Sequence, residues 1–213
     1  MSVNVLLLVC NEEKTITSDV SNIYQKIINK LPGSELIISE DGSIDNTKKI
    51  LLELEHKYKF RLNSEKKRKG YKQSFIDAVK LCTKEYIFFS DSGNKFDYED
   101  FWKLYKFYNN YDLISGFRKQ RSDSAFRKIL TFYYNLSLRI YFKVNIKDSD
   151  SGFKLYKTAK LKKIIENKLL NEHLISSEIF LRFVFSGLKV KEANVKYFQR
   201  PGKSVSFSLT KIF

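Results

Sequence analysis

Two cysteines and two histidines are all that 213 residues contain, and neither pair is placed for metal chemistry. Cys10 ends an apolar run and Cys82 falls inside a helical pattern, with no CxxC spacing and no neighbouring histidine pair. That excludes a zinc-finger type of site and leaves two buried, reduced thiols. His56 and His173 have no partners at ligand spacing, so neither is expected to be catalytic. Long hydrophobic runs are missing too: none reaches the length of a membrane span. The first apolar run is broken by Asn11-Glu12-Glu13, and no basic segment with an apolar stretch and cleavage site is present. The expected location is therefore cytoplasmic, free or peripherally attached to a membrane. There is no internal repeat and no low-complexity tract.

Acids are outnumbered, 24 against 39 lysines and arginines, for a net charge of +15. Such an excess attracts polyanions: nucleic acid, anionic lipid headgroups or phosphorylated small molecules. It also serves plain solubility, and charge alone does not choose. With 43% hydrophobic and 15% aromatic residues the chain is too rich in core formers to be disordered. Its length suits one globular unit around one core.

The pattern along the chain alternates strand and helix. Val3–Val9 is a nearly continuous apolar run, as in a parallel strand covered on both faces. Val20, Ile23, Tyr24, Ile27, Ile28 and Leu31 recur at helical spacing until Pro32-Gly33 stops them. Glu35–Ser39 reads as a second strand, and Ser43 stands at the expected N-cap of a helix carrying Ile50, Leu51 and Leu54. Phe60–Asn63 is a short strand, Lys66–Gly70 a basic loop, and Phe75, Val79 and Cys82 mark another helix. Tyr86–Phe89 is a strand, Glu99–Tyr108 helical, and Asp112–Ser115 a strand leading into Gly116-Phe117-Arg118. A long aromatic and basic helix follows, Ala125–Phe142. An acidic turn, Asp148–Ser151, precedes a strand at Phe153, then helices near 161–165 and 176–186 and a strand over 189–195. The alternation predicts an α/β fold with right-handed crossovers.

Two of these strands end in acid. Leu36-Ile37-Ile38-Ser39 runs into Glu40-Asp41-Gly42-Ser43, and Tyr86-Ile87-Phe88-Phe89 into Ser90-Asp91-Ser92-Gly93. In parallel strands these carboxylates would emerge side by side at the carboxyl edge of the sheet, where open α/β folds bind ligands. The turn around Asp41-Gly42-Ser43 also suits a tight turn with a helix cap. For the helix over 125–142 two readings stand together. Its stripe of Phe126, Ile129, Phe132, Tyr133, Leu136 and Ile140 fits core packing, while its flanking Arg127, Lys128 and Arg139 fit an anionic membrane surface.

The colinear set of segments resembles the family 2 glycosyltransferases of GT-A fold, in particular the dolichyl-phosphate mannosyltransferase and polyprenyl-phosphate glycosyltransferase branch. Val9–Glu13 is similar to that family's opening strand and Asn-Glu turn, without its usual proline. Glu40–Thr47 resembles its Asp-Asp-Gly-Ser segment, Lys69-Gly70 its glycine-lysine loop, and Asp91-Ser92-Gly93 its Asp-x-Asp. Gly116-x-Arg118, Asp148–Phe153, Glu178 with Gly187, and Glu192 through Arg200-Pro201-Gly202-Lys203-Ser204 match later blocks. The resemblance implies a single GT-A domain over 1–213, with a nucleotide-sugar half at 1–116 and an acceptor half, carrying the amphipathic helix, at 117–213.

It also implies roles. Asn11, Glu12, Glu40, Asp41, Lys69, Gly70 and Asp91 would bind a UDP- or GDP-sugar, since carboxylates in a fixed frame accept hydrogen bonds from base and ribose. Asp91 would hold a divalent cation, Mg²⁺ or Mn²⁺, and Asp91, Asp148 and Asp150 would serve catalysis. Gly93 departs from the pattern: either water and phosphate complete the metal shell, or metal affinity is lowered, or catalysis is impaired. Arg118, Arg127, Arg200, Lys203 and Ser204 would clamp the phosphate of a polyprenyl phosphate, an acceptor already ionised at neutral pH. The implied reaction inverts the anomeric carbon at the cytoplasmic membrane face, with the membrane surface and a membrane-anchoring protein as further partners. Transfer to a saccharide or protein-linked acceptor, and a non-catalytic relative that binds sugar nucleotides, are the competing readings. Nucleic acid is not expected as a partner, because the basic residues are dispersed and no recognition motif appears.

Overall fold

The computed structural model describes residues 1–118, 125–169 and 174–198. Among the described residues seven strands form one sheet: β1 (Val3–Val9), β2 (Glu35–Glu40), β3 (Arg61–Ser64), β4 (Tyr86–Asp91), β5 (Leu113–Phe117), β6 (Phe153–Lys157) and β7 (Val190–Asn194). The helices between them are α1 (Ile16–Lys26), α2 (Thr47–Tyr58), α3 (Tyr71–Leu81), α4 (Phe101–Tyr105), α5 (Ala125–Phe142), α6 (Thr158–Glu166) and α7 (Ile175–Phe185).

The strand order is β3-β2-β1-β4-β6-β5-β7, and only β6 runs against its neighbours. The carboxyl ends of β1, β2, β4, β5 and β7 therefore share one edge, and β6 starts there. The two acid-tipped strands do reach that edge, but not side by side: β1 lies between β2 and β4, pairing Val9 with Glu40 and Leu8 with Asp91. The chain builds outward through β2 and β3 and then returns to the other side of β1. This makes the β1/β4 boundary the topological switch point.

Alternation along β1 explains why the sheet is covered on both faces. Val5 and Leu7 join Ile38, Phe88 and Phe153 under α1, α2 and α4, while Leu6 and Leu8 join Ile37, Ile87 and Phe89 under α3, α6 and α7. Phe88 sits at the centre of the first layer, with the rings of Phe101 and Phe153 at 4.9 and 4.7 Å. Truncating it to alanine would cost about 3–5 kcal/mol by the usual scale for buried aromatics.

Two local readings change. Ser43 is not the N-cap of α2, which starts at Thr47, where the Thr47 N–H donates to Asp45 Oδ1 at 3.0 Å. Ser43 Oγ instead accepts from the Asn11 N–H at 2.9 Å. The helical run predicted through Leu31 ends at Lys26 and finishes as a 3₁₀ turn, Ile28–Lys30.

Candidate functional site

The loop after β1 locks onto the turn after β2. Asn11, at φ 56°, accepts from the Ile44 N–H through Oδ1, and the Glu12 N–H donates to Thr47 Oγ1 at 2.7 Å. The Glu12 carboxylate is buried and accepts from Thr15 Oγ1 at 2.8 Å and from Ser92 Oγ at 3.3 Å, tying the β1 and β4 loops across the switch point. Glu40 is fully buried, with one oxygen on the Ser43 N–H and the other accepting from Ser64 Oγ at 2.8 Å. Its carboxylate shapes the β2–α2 turn and fastens β3.

Asp41 captures the basic loop. Its Oδ1 accepts from the Lys69 N–H at 2.7 Å and its Oδ2 from the Gly70 N–H at 3.1 Å, while Arg68 Nε stands 3.7 Å from Oδ2. The loop comes so near that a Cβ on Gly42, at φ 61°, would lie 2.6 Å from the Arg68 nitrogen. Only glycine meets both demands. Lys69 thus contributes its backbone here, whereas its ammonium pairs with Glu65 and Asp77 on the solvent side.

Asp91 closes β4. Its N–H donates to the Gly152 carbonyl at 2.8 Å, Tyr71 OH donates to its Oδ1 at 3.0 Å, and Lys95 Nζ lies 3.6 Å from its Oδ2. Gly152 is required by this approach, because a Cβ there would overlap the Asp91 carboxylate.

The acidic turn before β6 faces the same edge, and here sequence roles merge. Arg118, at the end of β5, grips Asp148 with both arms: Nε to Oδ2 at 2.6 Å and Nη2 to Oδ1 at 2.7 Å, with the Arg118 N–H adding a bond to Oδ2 at 3.2 Å. The pair is 8% and 3% exposed. Burial opposes the arginine's charge, but Asp148 beside it holds its pKa above the ordinary value. Glu192 on β7 accepts from the Lys147 and Asp148 N–H groups at 3.0 and 2.8 Å, which fixes the turn. The guanidinium stands 5.3 Å from the Tyr197 ring centre.

Asp150 is half-buried. Burial raises its pKa, Arg118 and Lys154 oppose the rise, and Asp148 and Asp91 add to it. Lys154 is fully buried on β6, its ammonium donating to the carbonyls of Ser149 and Ser176 at 2.8 and 2.9 Å and to Ser176 Oγ at 2.7 Å. Burial pushes its pKa down to about 8 against the pull of Asp150 and Asp148. The turn is also anchored to α5, since Asn135 Oδ1 accepts from the Ser149 N–H at 3.1 Å and from its hydroxyl at 3.2 Å.

Among the residues assigned from sequence, Glu12, Asp41, Asp91, Arg118, Asp148 and Asp150 converge on the carboxyl edge. Asp148 and Arg118, given separate roles, are each other's partners. Arg127 belongs to α5 but its side chain lies outside the described residues, as do Arg200, Lys203 and Ser204. Sequence reasoning missed Tyr71, Lys95 and Lys154. A lone lysine in a strand covered on both faces was the available signal for Lys154, and the i, i+4 spacing from Asp91 was that for Lys95.

A mostly parallel sheet whose charged side chains gather at the carboxyl edge around its switch point defines an α/β domain of the class whose ligand site lies at that edge. The chain belongs to glycosyl transferase family 2, whose profile it matches over residues 4–165, and it is a glycosyltransferase of GT-A fold. It is 26% identical to an uncharacterized protein of Methanocaldococcus jannaschii over 94% of this chain and 90% of that one. It is 28% identical to the poly-β-1,6-N-acetyl-D-glucosamine synthase of Staphylococcus epidermidis, over 60% of this chain and 32% of the synthase. Among solved structures it is similar to glucosyl-3-phosphoglycerate synthase from Mycobacterium tuberculosis in complex with Mn²⁺, UDP-glucose and phosphoglyceric acid. There the TM-score is 0.73 at 17% identity, over 96% of this chain and 73% of that one.

Among the described residues, those at the end of β4 do not fit a protein-held Mn²⁺ or Mg²⁺ of the kind the resemblance implies. Gly93 has no ligating side chain, and the Asp91 oxygens face the Tyr71 hydroxyl and the Lys95 ammonium. Among the described residues no three His, Cys, Asp or Glu side chains are grouped to hold a metal ion.

Proposed function

We propose that this glycosyltransferase moves a sugar from a UDP- or GDP-sugar to a polyprenyl phosphate, with inversion, at the cytoplasmic face of a membrane. The observation that carries the acceptor is α5. Phe126, Ile129, Leu130, Phe132, Tyr133 and Ile140 are exposed on it, Phe126 and Tyr133 by 62% and 63%. Such an unburied apolar stripe, with Lys128 exposed beside it, suits an anionic bilayer surface. The Asn135–Ser149 bonds fix this helix to the acidic turn of the site. No helix of the described residues is long and apolar enough to cross a membrane, so attachment in this reading is peripheral, through α5 or with an anchoring partner.

The donor half supplies a frame for the nucleotide: the Asn11–Glu13 loop, the Asp41 turn and the Lys69-Gly70 backbone. The acceptor half supplies cations. An ionised phosphate oxygen attacks the anomeric carbon in line, the bond from that carbon to the diphosphate oxygen breaks, and its electron pair leaves with the nucleoside diphosphate. No proton moves, so no general base is needed.

A hydroxyl-bearing saccharide acceptor is the second reading, favoured by the raised pKa of the Asp150 carboxyl, which suits a base. One experiment separates them. Purified protein is given radiolabelled UDP- and GDP-sugars with a polyprenyl phosphate or with oligosaccharides, and label is followed into the organic and aqueous phases. Label in the lipid phase, retained in Asp150→Asn, supports the lipid-phosphate acceptor. Label only in oligosaccharide, lost in Asp150→Asn, supports the other, and label in neither refutes both.

A further inference from the structure

We propose that the Lys95 ammonium, in place of a divalent cation, carries the charge of the donor diphosphate at the end of β4. The inference rests on the nucleotide-sugar reading above. Its first support is the position of Lys95, at the switch point, with its ammonium 3.6 Å from Asp91 Oδ2. That distance is within ion-pair range but beyond a hydrogen bond, so Asp91 aims the ammonium without consuming its donors.

The turn that presents Lys95 is rigid on both sides. Asp19, buried on α1, accepts from the Gly93 and Asn94 N–H groups at 2.8 and 3.2 Å and from Tyr98 OH at 2.9 Å. Glu12 holds Ser92, and the Phe198 N–H donates to the Lys95 carbonyl at 2.8 Å. Phe96, the next residue, is buried with its ring 4.9 Å from that of Phe153. A flexible four-carbon stem thus starts from a fixed point, which lowers the entropy lost when the ammonium takes up a ligand.

Charge supports the same reading. Relative to an acid at 93 and a neutral side chain at 95, Gly93 removes one negative charge and Lys95 adds one positive charge. The sum is the charge a divalent ion would bring. In the transfer step the electron pair of the breaking bond from the anomeric carbon to the leaving oxygen goes to the diphosphate, and Lys95 donates hydrogen bonds to the oxygens on which that charge develops.

The test is calorimetric titration of the full chain with UDP, GDP, uridine and guanosine, in EDTA and in MnCl₂, for wild type, Lys95→Ala and Lys95→Arg. The expected result is a diphosphate that binds as well in EDTA as in Mn²⁺. Its advantage over the nucleoside should fall on the order of ten- to hundredfold in Lys95→Ala, as for loss of a charged hydrogen bond, and be largely kept in Lys95→Arg. Lys95 is part-exposed, and an unchanged melting curve confirms that the alanine variant is folded. Diphosphate binding that needs Mn²⁺, or is untouched in Lys95→Ala, overturns the inference and leaves the donor reading standing. Binding of neither nucleotide overturns both.

Discussion

Replacing Asp148 by alanine strands the Arg118 guanidinium in a place where water reaches only 8% of the residue. The variant removes two charge-assisted bonds, at 2.6 and 2.7 Å, and the acceptor for the Arg118 N–H. Removing one member of a buried pair costs about 3–5 kcal/mol, because the remaining charge keeps its desolvation penalty and loses its compensation. For a chain of this size each kcal/mol moves the melting midpoint by roughly 2–4 °C, so the drop should be roughly 6–20 °C. Urea unfolding followed by the fluorescence of the single tryptophan, Trp102, measures it directly. The double variant Arg118→Met/Asp148→Leu should recover most of the lost stability while remaining inactive, since it removes both charges from the crevice. A single variant within about 1 kcal/mol of wild type would refute the claim that Asp148 and Arg118 act as a desolvated unit.

Asp41→Ala should free the Lys69 and Gly70 amides, cost about 1–3 kcal/mol and speed tryptic cleavage within Lys66–Lys69; unchanged proteolysis would count against the loop-capture role. Gly152→Ala should cost about 1–3 kcal/mol by overlap with Asp91 and weaken nucleoside diphosphate binding, and a variant with wild-type affinity would show that Asp91 has room to move. Burial pushes the Asp19 carboxyl up to about 6, against bonds from Gly93, Tyr98 and Asn94. The folded state therefore holds that proton more tightly than the unfolded chain, whose Asp pKa is about 3.9. Its contribution to stability falls by about 3 kcal/mol as pH rises from about 4 to about 6 and is level above. Asp19→Asn should lack that slope, so that the stability difference between the two proteins falls by that amount over the same pH range, and parallel pH profiles would refute it. Ile129→Asp on α5 should lower sedimentation with vesicles containing anionic lipid while leaving the melting curve unchanged, and undiminished sedimentation would detach the exposed stripe from membrane binding.

The strands were legible because burial on both faces writes itself as a continuous apolar run, and β1, β2 and β4 have one each. Their order was not, because strand adjacency depends on which helix crosses which face. Hence β1 came between two strands that sequence had set side by side. The same gap hid the Arg118–Asp148 pair. Its members are 30 residues apart and meet only because β6 runs back between β4 and β5. Local chemistry was read more reliably than partnership. Asp41 was recognised as a turn residue and as an acceptor, yet what it accepts from is a basic loop 28 residues away. Tyr71, Lys95 and Lys154 carry no motif of their own and become visible only once Asp91 and the acidic turn are in place.

Partnership also changes what the acids at the edge are for. Glu12, Glu40, Asp41, Asp19 and Asp148 are all buried, and each accepts from groups of a different loop or strand. A buried carboxylate without donors would be costly, so these bonds are a condition of the fold before they are a feature of the site. Two of them also place something positive, and a third acid at the edge does the same: Asp41 holds the loop of Lys66–Lys69, Asp148 fixes Arg118, and Asp91 faces Lys95. This edge thus gains oriented cations whose reorganisation cost has been met in folding, as a phosphate-bearing ligand requires. A ligand of opposite sign would meet carboxylates already engaged and would have to break the loops to reach them. That asymmetry, more than the net charge of +15, is what favours an anionic ligand at the edge of this sheet, as the proposed reading requires.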